Sequence, residues 1–285
     1  MLKRALAAII LAALASPAPG FELRPRTPDS AFSGKLQPDI LGLSSNVDAS
    51  KAGAIFEAHA KETPGSAPQA TQQKFGGTNI TYAKTMRLDQ PASSNRGAES
   101  LFAAFSGPAS GNFAYYISRD LGFANGQQPT KGEMIQRVTD KYGAPTLIGD
   151  GVIYYFYKGG KIVSVKQKYT AATALDALNA PIAPRAAVAL NDANGHGSCV
   201  AMLKRAQALA DKSLDSLNAA AREANCEGLV GVGISPGAAP DRAGKASFTL
   251  IDFKLATSAA KIDSDALAAE KADANRAPAG NAPKL

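Results

Sequence analysis

The chain has 285 residues, 45% of them apolar, and a formal net charge of +7 at pH 7. This length suffices for one large or two modest domains. Lysine and arginine are scattered along the sequence rather than massed, which argues against a nucleic-acid-binding protein and allows only weak attraction to anionic surfaces.

The first twenty residues have the three-part layout of a secretory signal peptide. Lys3 and Arg4 precede an unbroken apolar run from Ala5 to Ala15, and small residues and prolines follow it. The run is shorter than the roughly 20 apolar residues that cross a bilayer, and no cysteine lies near it to carry a lipid. We therefore expect residues 1–20 to be a cleaved leader and the mature protein to be periplasmic, neither membrane-spanning nor a lipoprotein.

Residues 21–46 are expected to form an extended, poorly packed arm, and residues 47–169 an α+β domain with aromatic-rich strands. Asp48 is a predicted N-cap for an amphipathic helix over Ala49–Lys61. Residues 66–73 are predicted to be a loop. Three strands are predicted after it, over Asn79–Leu88, Glu99–Phe105 and Asn112–Phe123.

The next helix has the clearest boundary signals in the chain. Thr130 and Glu133 have the spacing of a capping box, in which each side chain accepts a hydrogen bond from the backbone of the other residue. Gly143 suits the position after the last helical residue, and Pro145 prevents the helix from continuing.

A β-hairpin is predicted where VIYYFY and KIVSVKQKY flank a Gly-Gly dipeptide at 159–160. Two glycines accept the positive φ angles of a two-residue hairpin turn. In that register Phe156 opposes Val163, while Tyr155 and Tyr157 point to the other face. The first strand is apolar on both faces, so its second face is either covered or a contact surface.

Residues 170–189 are rich in Ala and Pro and are expected to be a linker, with a short helix near Leu175–Leu178. Residues 190–276 are expected to form a second α+β domain that contains a disulfide, and residues 277–285 a disordered tail.

Cys199 and Cys226 are expected to pair in an oxidising compartment, and two buried free thiols are the alternative. Closing the loop between them should stabilise the fold by roughly 3–4 kcal/mol. A single straight helix would hold them too far apart for a bridge. We therefore predict a strand over Cys199–Lys204, a helix that begins near Asp211 or Ser213, and a strand GLVGVGIS after Cys226.

The stretch NDANGHGSC, residues 191–199, begins like a calcium-binding loop. His196 and Leu203 occupy positions where such a loop needs oxygen ligands, so a polar turn is the better interpretation. His196 and Ser198 lack an orienting acid, and His59 is predicted to be a packing residue. No catalytic residue, metal ligand or cofactor is predicted, although a pair of carboxylates could act without a recognisable motif.

Aromatic residues are concentrated on the predicted strands, and twelve of the nineteen Phe and Tyr residues fall between Phe102 and Tyr169. Either these residues mark the core, or some of them form a contact surface, for which tyrosine is well suited. The candidate contact residues are Tyr115, Arg119, Tyr155 and Tyr157.

Two segments, IFEAHAKETPG and IQRVTDKYGAP, each precede predicted antiparallel strands. Residues 48–169 thereby resemble the helix-plus-hairpin unit of SmpA/OmlA-type outer-membrane assembly lipoproteins, and the tandem form is similar to secreted beta-lactamase inhibitor proteins. The arrangement DILGL … GQQPT … KYGAP … C … C … LIDFKLA also resembles uncharacterised exported proteins of Gram-negative bacteria. These resemblances imply a fold type and a compartment, but no reaction.

The sequence as a whole predicts an α+β protein with antiparallel sheets, helices packed on one face, and two tandem regions. The expected function is a periplasmic interaction module without catalytic activity, whose partner is another envelope or exported protein. The alternatives are a carboxylate-dependent hydrolase and a small-ligand binder with an enclosed apolar cavity. The shape and lining of the largest concavity should distinguish these three functions.

Overall fold

The computed structural model describes residues 23–32, 37–62, 66–163, 168–182, 199, 211–224 and 226–276. The helices are α1 (Ala49–Ala60), α2 (Lys131–Tyr142), α3 (Ala171–Asn179), α4 (Leu214–Ala224) and α5 (Phe253–Arg276), with a 3-10 turn over Pro108–Ser110. The strands are β1 (Gln69–Lys74), β2 (Thr81–Gln90), β3 (Glu99–Phe105), β4 (Ala114–Gly122), β5 (Leu147–Gly149), β6 (Val152–Lys158), β7 (Lys161–Ile162), β8 (Gly228–Pro236) and β9 (Ala243–Asp252).

The nine strands form one antiparallel sheet in the order β1-β2-β3-β4-β9-β8-β6-β5, and β7 also pairs with β6. The hairpin of β8 and β9 lies between β4 and β6. Strands from residues 47–169 and from residues 190–276 are thus neighbours in a shared sheet. The α+β class with antiparallel strands is confirmed, but the two regions share one sheet rather than having one each.

The helices cover both faces of the sheet, whereas the sequence predicted helices on one face. Helices α1, α2 and α3 contribute to the core on one face, and α4 and α5 to the core on the other. The central strands explain the difference, because their alternate residues are apolar in both directions. On β8, for example, Val230 belongs to the first core and Leu229 to the second.

Boundaries that depend on local chemistry lie close to where the sequence predicted them. The Asp48 carboxylate accepts a hydrogen bond from the Lys51 N–H (2.9 Å) at the start of α1. Thr130 and Glu133 form the predicted capping box of α2, and Gly143 follows the helix with a φ of 87°. Strand β3 has the predicted bounds.

The predicted hairpin is present, with β7 as its second strand, and residues 164–167 of the predicted strand lie outside the described residues. The two loop glycines, at 159–160, have φ angles of 56° and 74°. The Val163 N–H donates to the Phe156 carbonyl (2.8 Å), which confirms the predicted register. The first part of β6 pairs instead with β5, where Leu147 lies opposite Tyr154.

Strand β1 replaces most of the predicted loop over residues 66–73, and all six of its side chains are exposed. This polar segment lacks the strong apolar periodicity on which prediction depends. Within the predicted linker, the short helix expected near Leu175–Leu178 is present as α3, which is longer than expected. It buries Ala174 and Leu178 against the first core.

The arm before α1 packs against the sheet, although the sequence predicted poor packing. Phe32 is 2% exposed, and its ring lies edge-on to that of Tyr157 with centroids 4.8 Å apart. Ile40 and Leu43 of the same arm are also buried. The arm therefore closes one side of the first core.

A buried carboxylate at the junction of β9 and α5 holds this arm in place. Asp252 accepts hydrogen bonds from the Ser30 hydroxyl (2.5 Å), the Ala31 N–H (3.1 Å) and the Leu255 N–H (2.8 Å). Burial raises the pKa of Asp252, and the hydrogen bonds offset only part of that effect. A neutral acceptor should therefore serve at this position almost as well as a carboxylate.

Cys199 and Cys226 are buried and lie at disulfide distance, with their Cα atoms 5.5 Å apart. Helix α4 leads back to Cys226, and β8 follows it, as the bridging argument predicted. Cys199 itself is helical, although the prediction placed it in a strand.

Several predicted segments lie outside the described residues: the leader (1–20), the turn before Cys199 with His196 and Ser198, residues 200–204, and the tail (277–285). Within the described ranges, no helix is long and apolar enough to cross a membrane.

We expect Asp252→Ala to lower the free energy of unfolding by about 2–3 kcal/mol, because buried N–H groups lose their acceptor. Asp252→Asn keeps a carbonyl for those groups and should cost less than half as much. Urea unfolding followed by circular dichroism measures both losses. Equal losses in the two variants would show that the negative charge, and not the acceptor, is what matters.

Candidate functional site

The three tyrosines predicted to form a contact surface lie inside the protein. Tyr115, Tyr155 and Tyr157 are 1%, 0% and 3% exposed. Tyr155 and Tyr157 belong to the first core and Tyr115 to the second. The contact-surface hypothesis was wrong for these residues, because helices of the same chain cover both faces of the strands that carry them. Their aromatic rings mark the core.

Arg119, the fourth predicted contact residue, lines a cleft of about 450 Å³ between α2 and the sheet. It is adjacent to Phe248 across the pairing of β4 with β9, and both side chains line the cleft. The remaining apolar lining comes from the arm, the segment around the end of β4, and α2: Ile40, Leu41, Leu121, Phe123, Pro129, Met134, Val138 and Tyr142.

Helix α2 presents one face to the cleft, since Met134, Arg137, Val138 and Lys141 follow the three- and four-residue spacing of a single helical face. The end of this helix also fixes the arm. Lys141 Nζ lies 3.0 Å from the Asp39 carboxylate. The hydroxyl of the next residue, Tyr142, donates to the Asp39 carbonyl (2.8 Å), so the arm becomes a fixed wall of the cleft.

Among the described residues, the charged side chains that line the cleft are all cationic: Arg119, Arg137 and Lys141. Arg119 is the most enclosed of them, with 20% of its side chain exposed. Arg137 is exposed and makes no hydrogen bond or ion pair with any other described residue. The cleft therefore combines an apolar interior with a positively charged rim.

Behind Arg119 lies a buried carboxylate. Glu99 Oε1 accepts a hydrogen bond from Arg119 Nε (2.7 Å) and lies 2.8 Å from His59 Nε2. His59 Nδ1 lies 3.1 Å from the exposed Glu62 carboxylate. His59 was predicted to be a packing residue, and the structure shows it as a polar partner of Glu99.

The environment of Glu99 favours its charged form. Burial is the largest single influence and acts to raise its pKa. The hydrogen bonds and positive charges of Arg119 and His59 together outweigh burial and hold the pKa of Glu99 below its usual value. The ion pair therefore persists across the neutral range, and it fixes Arg119 through Nε.

Only a faint signal for this cluster can be seen in the sequence. Glu99 is the one charged residue in the mainly apolar strand ESLFAAF. Its partners come from α1 and β4, and only the folded sheet brings the three side chains together.

A larger cavity, of about 750 Å³, lies between α4 and α5 beside Cys226 and has a lining of mixed charge. Two of its carboxylates already have partners. Asp265 pairs with Lys261 (2.9 Å), and Glu227 accepts from the Gly159 N–H (2.8 Å). Its described lining contains no large aliphatic or aromatic side chain, whereas the smaller cleft is lined mainly by such side chains and is the better candidate for an apolar ligand.

Carboxylates with a raised pKa hold backbone groups rather than facing one another. Besides Asp252, burial raises the pKa of Asp263, which accepts from the Gly107 N–H (2.8 Å) and from both the N–H and the hydroxyl of Ser110. No group of three or more His, Cys, Asp or Glu side chains in the described ranges could hold a metal ion.

Comparison with protein-family models, with curated proteins and with solved structures finds no match for this chain. The resemblance of residues 48–169 to the lipoprotein and inhibitor units stays a prediction.

We expect Glu99→Gln to lower the free energy of unfolding at pH 7 by about 2–4 kcal/mol, because it leaves Arg119 without its counter-charge. A carboxylate with a lowered folded pKa contributes stability above its unfolded pKa, near 4.3, and loses it as pH falls through the folded value. The difference between wild type and variant should therefore shrink toward zero in acid.

Urea unfolding between pH 7 and pH 3 measures that difference. Glu62→Gln is the matched control, since it removes the exposed partner of the same histidine and should cost less than about 0.5 kcal/mol. A loss for Glu99→Gln that stays constant across the pH range would contradict the ion-pair assignment.

Proposed function

We propose that this protein is an exported, non-catalytic binding protein that holds a small, largely apolar ligand in the cleft between α2 and the sheet. The observation that carries the proposal is the cleft itself. A concavity of about 450 Å³ with mostly apolar walls and a few oriented polar groups has the size and composition of a small-molecule site.

Two observations favour this function over the others that the sequence left open. The tyrosines that supported a protein-interaction surface are buried, so the main argument for an interaction module is lost. The buried carboxylates that a hydrolase could use, Asp252 and Asp263, are engaged in holding backbone N–H groups. Neither observation argues against small-ligand binding.

Export to the periplasm is part of the proposal. It is supported by the leader-like composition of residues 1–20. It is also supported by the Cys199–Cys226 pair, because an oxidising compartment lets cysteines at this distance form a lasting disulfide.

Export makes a direct prediction about the mature protein. After expression in a Gram-negative host, intact-mass measurement of the periplasmic fraction should show a chain shortened by the leader. Alkylation should label neither cysteine until a reductant is added. An uncleaved chain in the cytosol, or two freely alkylated thiols in the folded protein, would contradict export.

Ligand binding can be tested with N-phenyl-1-naphthylamine, a neutral apolar fluorophore. We expect it to bind with a micromolar dissociation constant and increased fluorescence. Leu121→Trp places a large side chain in the cleft and should weaken binding about tenfold or more, which corresponds to 1.4 kcal/mol.

Leu175→Trp is the matched control, because it makes the same change on α3, where the residue does not line the cleft. Its affinity should equal that of the wild type. Absence of fluorophore binding, or equal affinity for all three proteins, would count against a ligand site in the cleft.

A further inference from the structure

We infer that the ligand is an amphiphile with a single negative charge, whose carboxylate binds Arg119 while its apolar tail lies between α2 and the sheet. This inference rests on the proposed binding function and adds the chemical class of the ligand. It follows from the charge balance of the cleft, from the way Arg119 is held, and from the size of the apolar part.

Among the described residues, one of the cations that line the cleft has no ion-pair partner. Three cations line it: Arg119, Arg137 and Lys141. Two carboxylates stand just behind this lining, Glu99 on the first of these cations and Asp39 on the third. A monoanion neutralises the remainder, whereas a dianion would leave unpaired negative charge beside apolar walls, at a cost in free energy.

Arg137 is exposed and makes no ion pair with any other described residue. Two acids lie one turn away on the same helix, and both accept hydrogen bonds from other groups. Glu133 accepts from the Thr130 N–H (2.8 Å) in the capping box, and that hydrogen bond, helped by the charge of Arg137, lowers its pKa. Asp140 accepts from the Gln136 side chain (2.7 Å). A ligand anion in the cleft would therefore meet one cation held in a fixed orientation and one that is free to approach it.

Arg119 is prepared to receive a carboxylate. Its Nε is the only nitrogen that hydrogen-bonds to another described residue, and the acceptor is Glu99. The planar guanidinium keeps its terminal N–H groups for a second acceptor, and their fork geometry matches a carboxylate. Because Glu99 and His59 already fix this side chain, binding costs little further conformational entropy.

The apolar part of the cleft sets the size of the tail. Leu121, Phe123 and Phe248 line the sheet side, and Met134 and Val138 the helix side. One water molecule occupies about 30 Å³ in the liquid, and we take the same volume for each non-hydrogen atom of the ligand. The cleft, of about 450 Å³, then holds roughly 15 such atoms. Dodecanoate has close to that number.

The experiment compares four probes that share one twelve-carbon tail: dodecanoate, dodecyl phosphate, dodecanol and dodecyltrimethylammonium. Each is titrated below its micelle concentration or, for dodecanol, below its solubility limit, at pH 7.4, against the protein loaded with N-phenyl-1-naphthylamine. We expect dodecanoate to displace the fluorophore at least tenfold more effectively than dodecanol. Dodecyl phosphate should be weaker than dodecanoate, and the cationic probe should displace least.

The variants test the assigned role of Arg119. The double variant Glu99→Gln/Arg119→Gln removes the ion pair without leaving a buried charge, and it should weaken dodecanoate binding by about ten- to a hundredfold. Its affinity for dodecanol should be unchanged. Arg119→Lys keeps the positive charge beside Glu99 but loses the forked N–H geometry of the guanidinium, so it should also weaken dodecanoate binding.

Arg87→Gln is the control, since Arg87 pairs with Asp89 on β2 and does not line the cleft. Its dodecanoate affinity should equal that of the wild type. Equal binding of dodecanol and dodecanoate would overturn the inference about charge and leave the proposed binding function intact. Tighter binding of dodecyl phosphate than of dodecanoate would overturn the inference that the ligand carries a single negative charge. If no twelve-carbon probe displaced the bound fluorophore, the inference about the ligand would fail, whereas the binding function would fail only if the fluorophore itself did not bind.

Discussion

The antiparallel pairing of β4 with β9 is the constraint on which the rest of the structure depends. It runs from Tyr116 opposite Ile251 to Gly122 opposite Lys245 and joins segments far apart in the chain. Without it the sheet would end at β4, and the hairpin of β8 and β9 would lose its place between β4 and β6. The same pairing sets Arg119 beside Phe248, so the candidate site exists only once this contact has formed.

Local chemistry made part of this fold predictable. The Asp48 cap, the Thr130–Glu133 capping box and the Gly-Gly hairpin loop each act within a few residues, and each lies where the sequence indicated. Strand β1 was missed because its exposed, polar side chains show no alternation. The strand order was not predictable, since it depends on pairing between distant segments, which no local pattern records.

The candidate site was less predictable than the fold. A strand that is apolar on both faces has the same sequence pattern whether helices of its own chain or a partner cover it, and Tyr155 and Tyr157 were misassigned for that reason. Arg119 was singled out, but as part of a surface rather than of a cleft. Its partners Glu99 and His59 could not be connected to it, because the three residues lie on different elements.

In the function that we propose, a buried carboxylate holds an arginine at the wall of an apolar cleft, where its terminal N–H groups bind an anionic amphiphile. A crystal structure of the protein with 12-bromododecanoate tests this claim most directly. We expect a bromine anomalous peak among the apolar side chains of the cleft and a carboxylate oxygen within about 3 Å of a terminal nitrogen of Arg119. A peak elsewhere on the protein, or a ligand in the cleft with its carboxylate directed away from Arg119, would contradict it.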